Sequence, residues 1–206
     1  MSDINENYYK IEGVLNLTQH CYGKLPKRLW LRRMALLENL NNYYRFAVSS
    51  VRLFQESSLK NLDLLSKQEL QRDDFDDKSH SSALSFYSHA RVCLESSKLL
   101  SEEGIFSSGD DEKVEFFQKH RDEYARWARD VIDKRNDIIA HPHNLRRMIV
   151  GPSGWGSNGK IRFNTVDLER IIISHDMYEL DPASDLSELK KYLEKTIEHL
   201  TSIWVA

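Results

Sequence analysis

A polar cluster near one proline has the residue types needed for chemistry on a phosphodiester. Arg135 and Asn136 are adjacent, five residues separate Arg135 from His141, and Pro142 blocks further helix beyond it. Arginine stays cationic at physiological pH, whereas histidine titrates near neutrality. Asp137 precedes His141 by four residues, so on a helix it shares the face of the imidazole and can orient it.

Metal-free cleavage of RNA needs a base for the 2′-hydroxyl proton, an acid for the leaving 5′-oxygen, and a cation on the transition-state phosphate. His141 and Arg135 supply two of these roles. One histidine does not conveniently serve as both acid and base, so a two-fold dimer that joins two motifs is a natural solution. Within one chain, His143 is a further candidate.

Hydrophobic periodicity predicts the helices that must position this cluster. Helices are expected at about residues 27–60, 80–102 and 111–140, and a fourth amphipathic helix runs to the C-terminus from a capping box at Asp185 and Glu188. In the first helix, apolar residues recur every seven positions at Trp30, Leu37, Tyr44 and Val51. This stripe predicts a core face, with a dimer interface as the second interpretation, and Arg33 interrupts it.

The rest of the chain supplies connections and a small β element. Apolar segments on both sides of the glycine-rich turn 151–159 predict a β-hairpin, residues 166–173 fit either strand or helix, and residues 1–24 lack a clean period. We therefore predict one all-α domain over residues 1–206. It is an up-and-down bundle of about four to five helices, with a hairpin insertion near 145–165 and a loosely ordered N-terminal arm or short docking segment at 1–24.

Composition restricts the kind of partner and compartment. The 206-residue chain has a formal net charge of -3, which excludes a uniformly basic nucleic-acid binder and makes any RNA contact local. Two distant cysteines form neither a zinc motif nor a disulfide framework. With no signal segment or membrane-length apolar run, the sequence predicts a soluble cytoplasmic protein that needs no cofactor or metal.

Basic residues lie around the polar cluster and also in an earlier segment. Arg129 and Lys134 precede the cluster and Arg146 and Arg147 follow it, where RNA would lie. Residues 24–33 hold five basic residues and no acid beside Trp30, a patch that fits phosphates or, more commonly, a solvated first helical turn.

Arg135-Asn136, four further residues and then His141 resemble the R-x(4–6)-H motif of the HEPN superfamily. The resemblance covers residues 135–143 as motif and about 27–205 as architecture. It implies a helical, usually dimeric protein, and for many members a metal-independent RNA endonuclease in toxin–antitoxin or anti-phage defence. By this similarity Arg135 would contact the scissile phosphate, Asn136 would position groups around it, and His141 would act as acid or base.

One departure from the family pattern bears on regulation. Many toxin members have H-x-Y, whose tyrosine is adenylylated in some by a partner nucleotidyltransferase antitoxin, but this chain has His143 at that position. Alternatives also remain for the function. The first is a non-catalytic module that binds a nucleotide or partner, with Arg135 as a buried paired arginine and His141 as a helix-terminal histidine. The second is an HD-type metal phosphohydrolase built on His143, His175-Asp176 and Asp181 or Asp185.

Overall fold

A computed structural model describes residues 11–22, 25–66, 77–107, 115, 119, 143–144, 147–155, 161–167 and 172–205. Side chains are described for residues 11–22, 25–57, 81–103, 115, 119 and 181–205. The elements are, in chain order, α1 (Val14–Cys21), α2 (Lys27–Ser66), α3 (Asp77–Ser107), β1 (His143–Asn144), β2 (Arg147–Trp155), β3 (Ile161–Asp167), β4 (Ile172–Leu180) and α4 (Pro182–Trp204).

Helices α2, α3 and α4 supply most of the hydrophobic core and α1 completes it, which confirms the helical part of the predicted fold class. Leu37, Tyr44 and Val51 are fully buried, so the seven-residue stripe of α2 is a core face of its own chain. Burying each such apolar side chain stabilises the fold by about 1.5–3 kcal/mol. A dimer must therefore use a surface other than these three residues.

Small residues on α3 allow the helices to approach closely. Ala90 and Cys93 are fully buried, and the Cys93 thiol donates a hydrogen bond to the carbonyl of Leu40 on α2 at 3.7 Å. The core face of α3 consists of six fully buried residues at helical spacing, namely Ala83, Phe86, Ala90, Cys93, Ser97 and Leu100.

Of the two interpretations of residues 1–24, a loosely ordered arm or a short docking segment, helix α1 agrees with the docking segment over residues 11–22. Val14, Leu17 and Cys21 are buried, and the helix packs against α2 and α4. Gly13 stands before its first turn at a φ of 81°, a left-handed conformation that suits glycine. Eight residues offer only three apolar positions at helical spacing, which is too short a pattern to recognise in the sequence.

The predicted capping box at the start of α4 is wrong, because the N-cap residue lies four residues earlier than Asp185. Asp181 caps the helix by accepting a hydrogen bond from the backbone N–H of Ser184 at 3.1 Å, and Pro182 occupies the first turn. Asp185 is instead buried, and its Oδ2 accepts a 2.6 Å hydrogen bond from the Tyr87 hydroxyl on α3. The predicted cap is therefore a contact between two helices.

The β structure is larger than the expected hairpin and means that the chain is not purely helical. Four antiparallel strands lie in the order β1-β2-β3-β4, and β2 and β3 pair across the region of the predicted hairpin. Of the segment 166–173, left open between strand and helix, residues 166–167 lie in β3 and residues 172–173 lie in β4, while residues 168–171 lie outside the described residues. A short apolar run does not distinguish strand from buried helix by periodicity, which explains the ambiguity.

Candidate functional site

Most of the predicted catalytic cluster lies outside the described residues. This applies to the predicted site residues Arg129, Lys134, Arg135, Asn136, Asp137, His141 and Arg146. Of the helix expected at about 111–140, Glu115 and Lys119 are described, and both are helical and exposed. The arrangement of the cluster remains a prediction from the sequence.

Two further site residues are placed by their backbone in the β-sheet. His143 begins β1 and pairs with Met148, while Arg147 begins β2 opposite Asn144 and Asp167. The backbone after Pro142 therefore enters a sheet directly, and Arg147 and His143 lie on adjacent strands of it. This segment was expected to leave the helix at Pro142, and the strand agrees with that expectation.

The residues proposed for an HD-type metal site have different settings from those the helical HD fold requires. His175 and Asp176 lie within β4. Asp181 caps α4, and Asp185 is buried against Tyr87, so structural roles account for both carboxylates. Among the residues whose side chains are described, no group of three or more His, Cys, Asp or Glu side chains is arranged to hold a metal ion.

The basic segment 24–33 divides into buried and exposed parts. Arg33 is only 4% exposed, and its guanidinium carbon lies 4.1 Å from the centre of the Trp204 ring, a cation–π contact between α2 and α4. Arg32 Nε forms a 2.8 Å salt bridge with Glu103 on α3. Lys27 and Arg28 remain exposed on the first turn of α2. No local sequence pattern predicts the contact between Arg33 and Trp204, because the two residues are far apart in the chain.

An aromatic pair lies beside these exposed cations. The rings of Tyr22 and Trp30 meet edge to face, with their centres 5.7 Å apart and their planes at 79°. Tyr22 is 72% exposed, whereas Trp30 is partly buried against the core. The contact joins the residue after α1 to the start of α2, where Lys27 lies one helical turn before Trp30.

A buried polar seam between α3 and α4 is rich in hydroxyl groups. Ser97 donates to Thr196 at 3.1 Å, and Ser101 donates to the Ser97 carbonyl at 2.9 Å. Burial raises the pKa of Tyr192, although the Ser97, Thr196 and Ser101 side chains oppose this shift. A phenol with a raised pKa stays protonated at neutral pH. The seam therefore fixes the pairing of two helices and has no group poised to act as a base.

Ser50 and His89 form a contact that superficially resembles a nucleophile and its base. Ser50 Oγ lies 3.3 Å from His89 Nδ1, but the same hydroxyl donates its proton to the Phe46 carbonyl at 2.9 Å. With its proton held by the Phe46 carbonyl, the serine does not donate to the imidazole as an activated serine would. Burial lowers the pKa of His89, partly offset by its hydrogen bond to the Phe46 carbonyl.

Comparisons with known proteins identify no relative: no protein-family model, curated protein or solved structure matches this chain. Within the part of the chain that was described, no helix has the length and apolar character needed to cross a bilayer. The motif at 135–143 and the surface chemistry of the described helices are therefore the features that bear on function.

Proposed function

We propose that the protein is a HEPN-type, metal-independent RNA endonuclease that acts as a homodimer, in a toxin–antitoxin or anti-phage defence setting. The observation that carries the proposal is the motif in which Arg135-Asn136 is followed by His141, with five residues between the arginine and the histidine. The long helices α2 and α3, closed by α4, are compatible with the helical frame that this motif has in the family.

Each residue has a distinct chemical role in the proposed reaction. Arg135 stabilises negative charge on the phosphate in the transition state, and Asn136 positions groups around it. His141, oriented by Asp137, transfers a proton while the 2′-oxygen attacks phosphorus and the bond to the 5′-oxygen breaks. The products are a 2′,3′-cyclic phosphate and a 5′-hydroxyl. His143 supports this chemistry, and Arg129, Lys134, Arg146 and Arg147 contact the RNA backbone.

Purified protein tests the reaction directly. We expect cleavage of RNA that persists in EDTA and yields a 2′,3′-cyclic phosphate, and we expect His141→Ala to lower the rate by at least about 100-fold. His199→Ala is the matched control, since it removes a partly buried histidine on α4 and should retain cleavage. Equal cleavage by the His141→Ala and wild-type proteins contradicts the proposal.

A mixing experiment tests the homodimer. If the composite site draws on two chains, Arg135→Ala and His141→Ala proteins are each inactive but regain part of the wild-type rate when they exchange subunits. Sedimentation of wild-type protein as a monomer, at concentrations where it cleaves RNA, contradicts a site shared between subunits.

Two alternatives predict different outcomes. A non-catalytic module binds nucleotides or a partner protein with no RNA cleavage by any preparation, and His141→Ala then changes only binding or stability. An HD-type phosphohydrolase loses activity in EDTA. The strand setting of His175-Asp176 and the structural roles of Asp181 and Asp185 argue against the metal enzyme. His143 in place of the family tyrosine argues against control by tyrosine adenylylation.

A further inference from the structure

Positive charge is concentrated in one early segment of an acidic chain. Residues 13–37 contain five lysine and arginine residues and no aspartate or glutamate, although the chain as a whole has a net charge of -3. The rest of the chain therefore carries a formal charge of -8. Such separation creates a local positive field on a protein that otherwise repels polyanions.

Two of these cations are presented to solvent instead of being used by the fold. Arg32 pairs with Glu103, and Arg33 is buried against Trp204, so both have structural roles. Lys27 and Arg28 are exposed, and no salt bridge joins either of them to an acid within the described residues. Of the four cations in this segment that the structure describes, Lys27 and Arg28 are available to a ligand.

Their position in the helix is unfavourable for stability. Lys27 and Arg28 lie in the first turn of α2, which contains no acidic residue. The helix dipole disfavours cations at this end, typically by about 0.3–1 kcal/mol each. By contrast, α4 begins with Asp181 as its cap and Asp185 in its first turn. Cations at the N-terminal end of a helix depart from helix preference, and no described ion pair stabilises Lys27 or Arg28 there. Such local departures are typical of functional surfaces.

Aromatic and apolar side chains continue the same surface. Successive helical residues are rotated by about 100°, so Trp30, Lys27, Leu31 and Arg28 follow one another around α2 over an arc of about 160°, with Lys27 and Leu31 between Trp30 and Arg28. Leu31 is 49% exposed and Tyr22, which contacts Trp30, is 72% exposed. Exposed aromatic rings beside cations are the combination that single-stranded nucleic acids use, since bases stack on the rings while phosphates meet the charges.

We propose that Tyr22, Lys27, Arg28, Trp30 and Leu31 form a surface that binds single-stranded nucleic acid, here named the aromatic–basic surface. Lys27 and Arg28 contact backbone phosphates, and a base stacks on the exposed Tyr22 ring. The inference goes beyond the proposed function because none of these residues belongs to the catalytic motif. It does not require cleavage, and it gives an acidic protein a local means of holding RNA.

Binding is measured best with a fluorescein-labelled single-stranded DNA of mixed sequence, by anisotropy at low salt with the full chain. DNA lacks the 2′-hydroxyl that the proposed cleavage needs, so binding is read even if the protein never cleaves RNA. We expect Arg28→Glu to weaken binding at least tenfold. It should also reduce the slope of log affinity against log salt by about 0.7, the value for one phosphate contact on a single strand.

The matched control is Lys98→Glu, which makes the same change in net charge at an exposed position on α3. It should change affinity less than about threefold if the effect is local. At Tyr22, phenylalanine should retain binding, whereas alanine should weaken it by about 5-fold to 150-fold through loss of base stacking. Thermal unfolding excludes a folding defect, because Arg28→Glu places an acid in the first turn and should leave the melting temperature unchanged or higher.

Three outcomes overturn the inference. They are absence of oligonucleotide binding by the wild-type chain, equal losses in Arg28→Glu and Lys98→Glu, and binding to phosphatidylserine vesicles with none to oligonucleotide. Oligonucleotide binding that depends on Tyr22 and Arg28, in a protein that cleaves no RNA, supports this surface while refuting the proposed nuclease. RNA cleavage that does not depend on Tyr22 and Arg28 supports the proposed nuclease while refuting this surface.

Discussion

Replacing Tyr87 with phenylalanine removes the hydroxyl that donates a 2.6 Å hydrogen bond to the buried Asp185 carboxylate. The ring itself is fully buried and keeps its volume, so the change acts on the polar contact with little effect on packing. A hydrogen bond to a charged group contributes about 1.5–3 kcal/mol. We expect that loss in the free energy of unfolding, and a melting temperature lowered by about 3–12 °C for a chain of this size.

Chemical unfolding in urea, followed by circular dichroism, measures this loss. Tyr22→Phe is the matched control, because it removes the hydroxyl of a tyrosine that is 72% exposed and should change stability by less than about 0.5 kcal/mol. A double-mutant cycle with Asp185→Leu then isolates the coupling between the two side chains. If Tyr87→Phe is as stable as the wild-type protein, the buried pair does not stabilise the α3–α4 contact and our argument is refuted.

Three further predictions follow from other described contacts. Gly13→Ala should lower the free energy of unfolding by about 1–3 kcal/mol, because φ is 81° and a Cβ there would lie 2.8 Å from Ile197 Cγ2. An unchanged midpoint in urea titrations contradicts this prediction. Burial lowers the pKa of His89, so on acidification the unfolded chain takes up a proton before the folded chain does. The free energy of unfolding should therefore fall as the pH drops through about 6.5. Urea titrations over this pH range should show a weaker pH dependence for His89→Gln than for the wild-type protein. Burial raises the pKa of both Cys21 and Cys93, so neither thiol should react with a disulfide reagent at neutral pH until the protein unfolds, and rapid labelling of the native protein would contradict their burial.

Long periodic segments were predictable, whereas contacts between distant residues were not. The stripe of α2 repeats over several turns, so its core face followed from spacing alone, and the helix differs from the prediction mainly in ending at Ser66. Arg33 shows the limit. Its place on an apolar face marked it as unusual, but nothing local identifies Trp204, which lies at the other end of the chain, as its partner.

Capping shows how two similar signals compete. Asp185 with Glu188 satisfied the spacing of a capping box, yet Asp181 followed by Pro182 begins the helix. The decision came from the tertiary structure, since Asp185 accepts a hydrogen bond from Tyr87 on another helix.

For the candidate site, the sequence identified the motif at 135–143 and the basic segment 24–33. It did not distinguish the exposed Lys27 and Arg28 from Arg32 and Arg33, because that difference depends on Glu103 and Trp204.

Helix α1 has only eight residues, fewer than an isolated helix needs to be stable in water, so its order depends on its contacts with α2 and α4. Tyr22 follows α1 directly and meets Trp30 from that position. Packing of α1 against α2 and α4 and placement of the Tyr22 ring against Trp30 are therefore one coupled equilibrium. A ligand that binds the packed form would, by linkage, protect the amides of α1 from hydrogen exchange, although it touches none of that helix's buried residues.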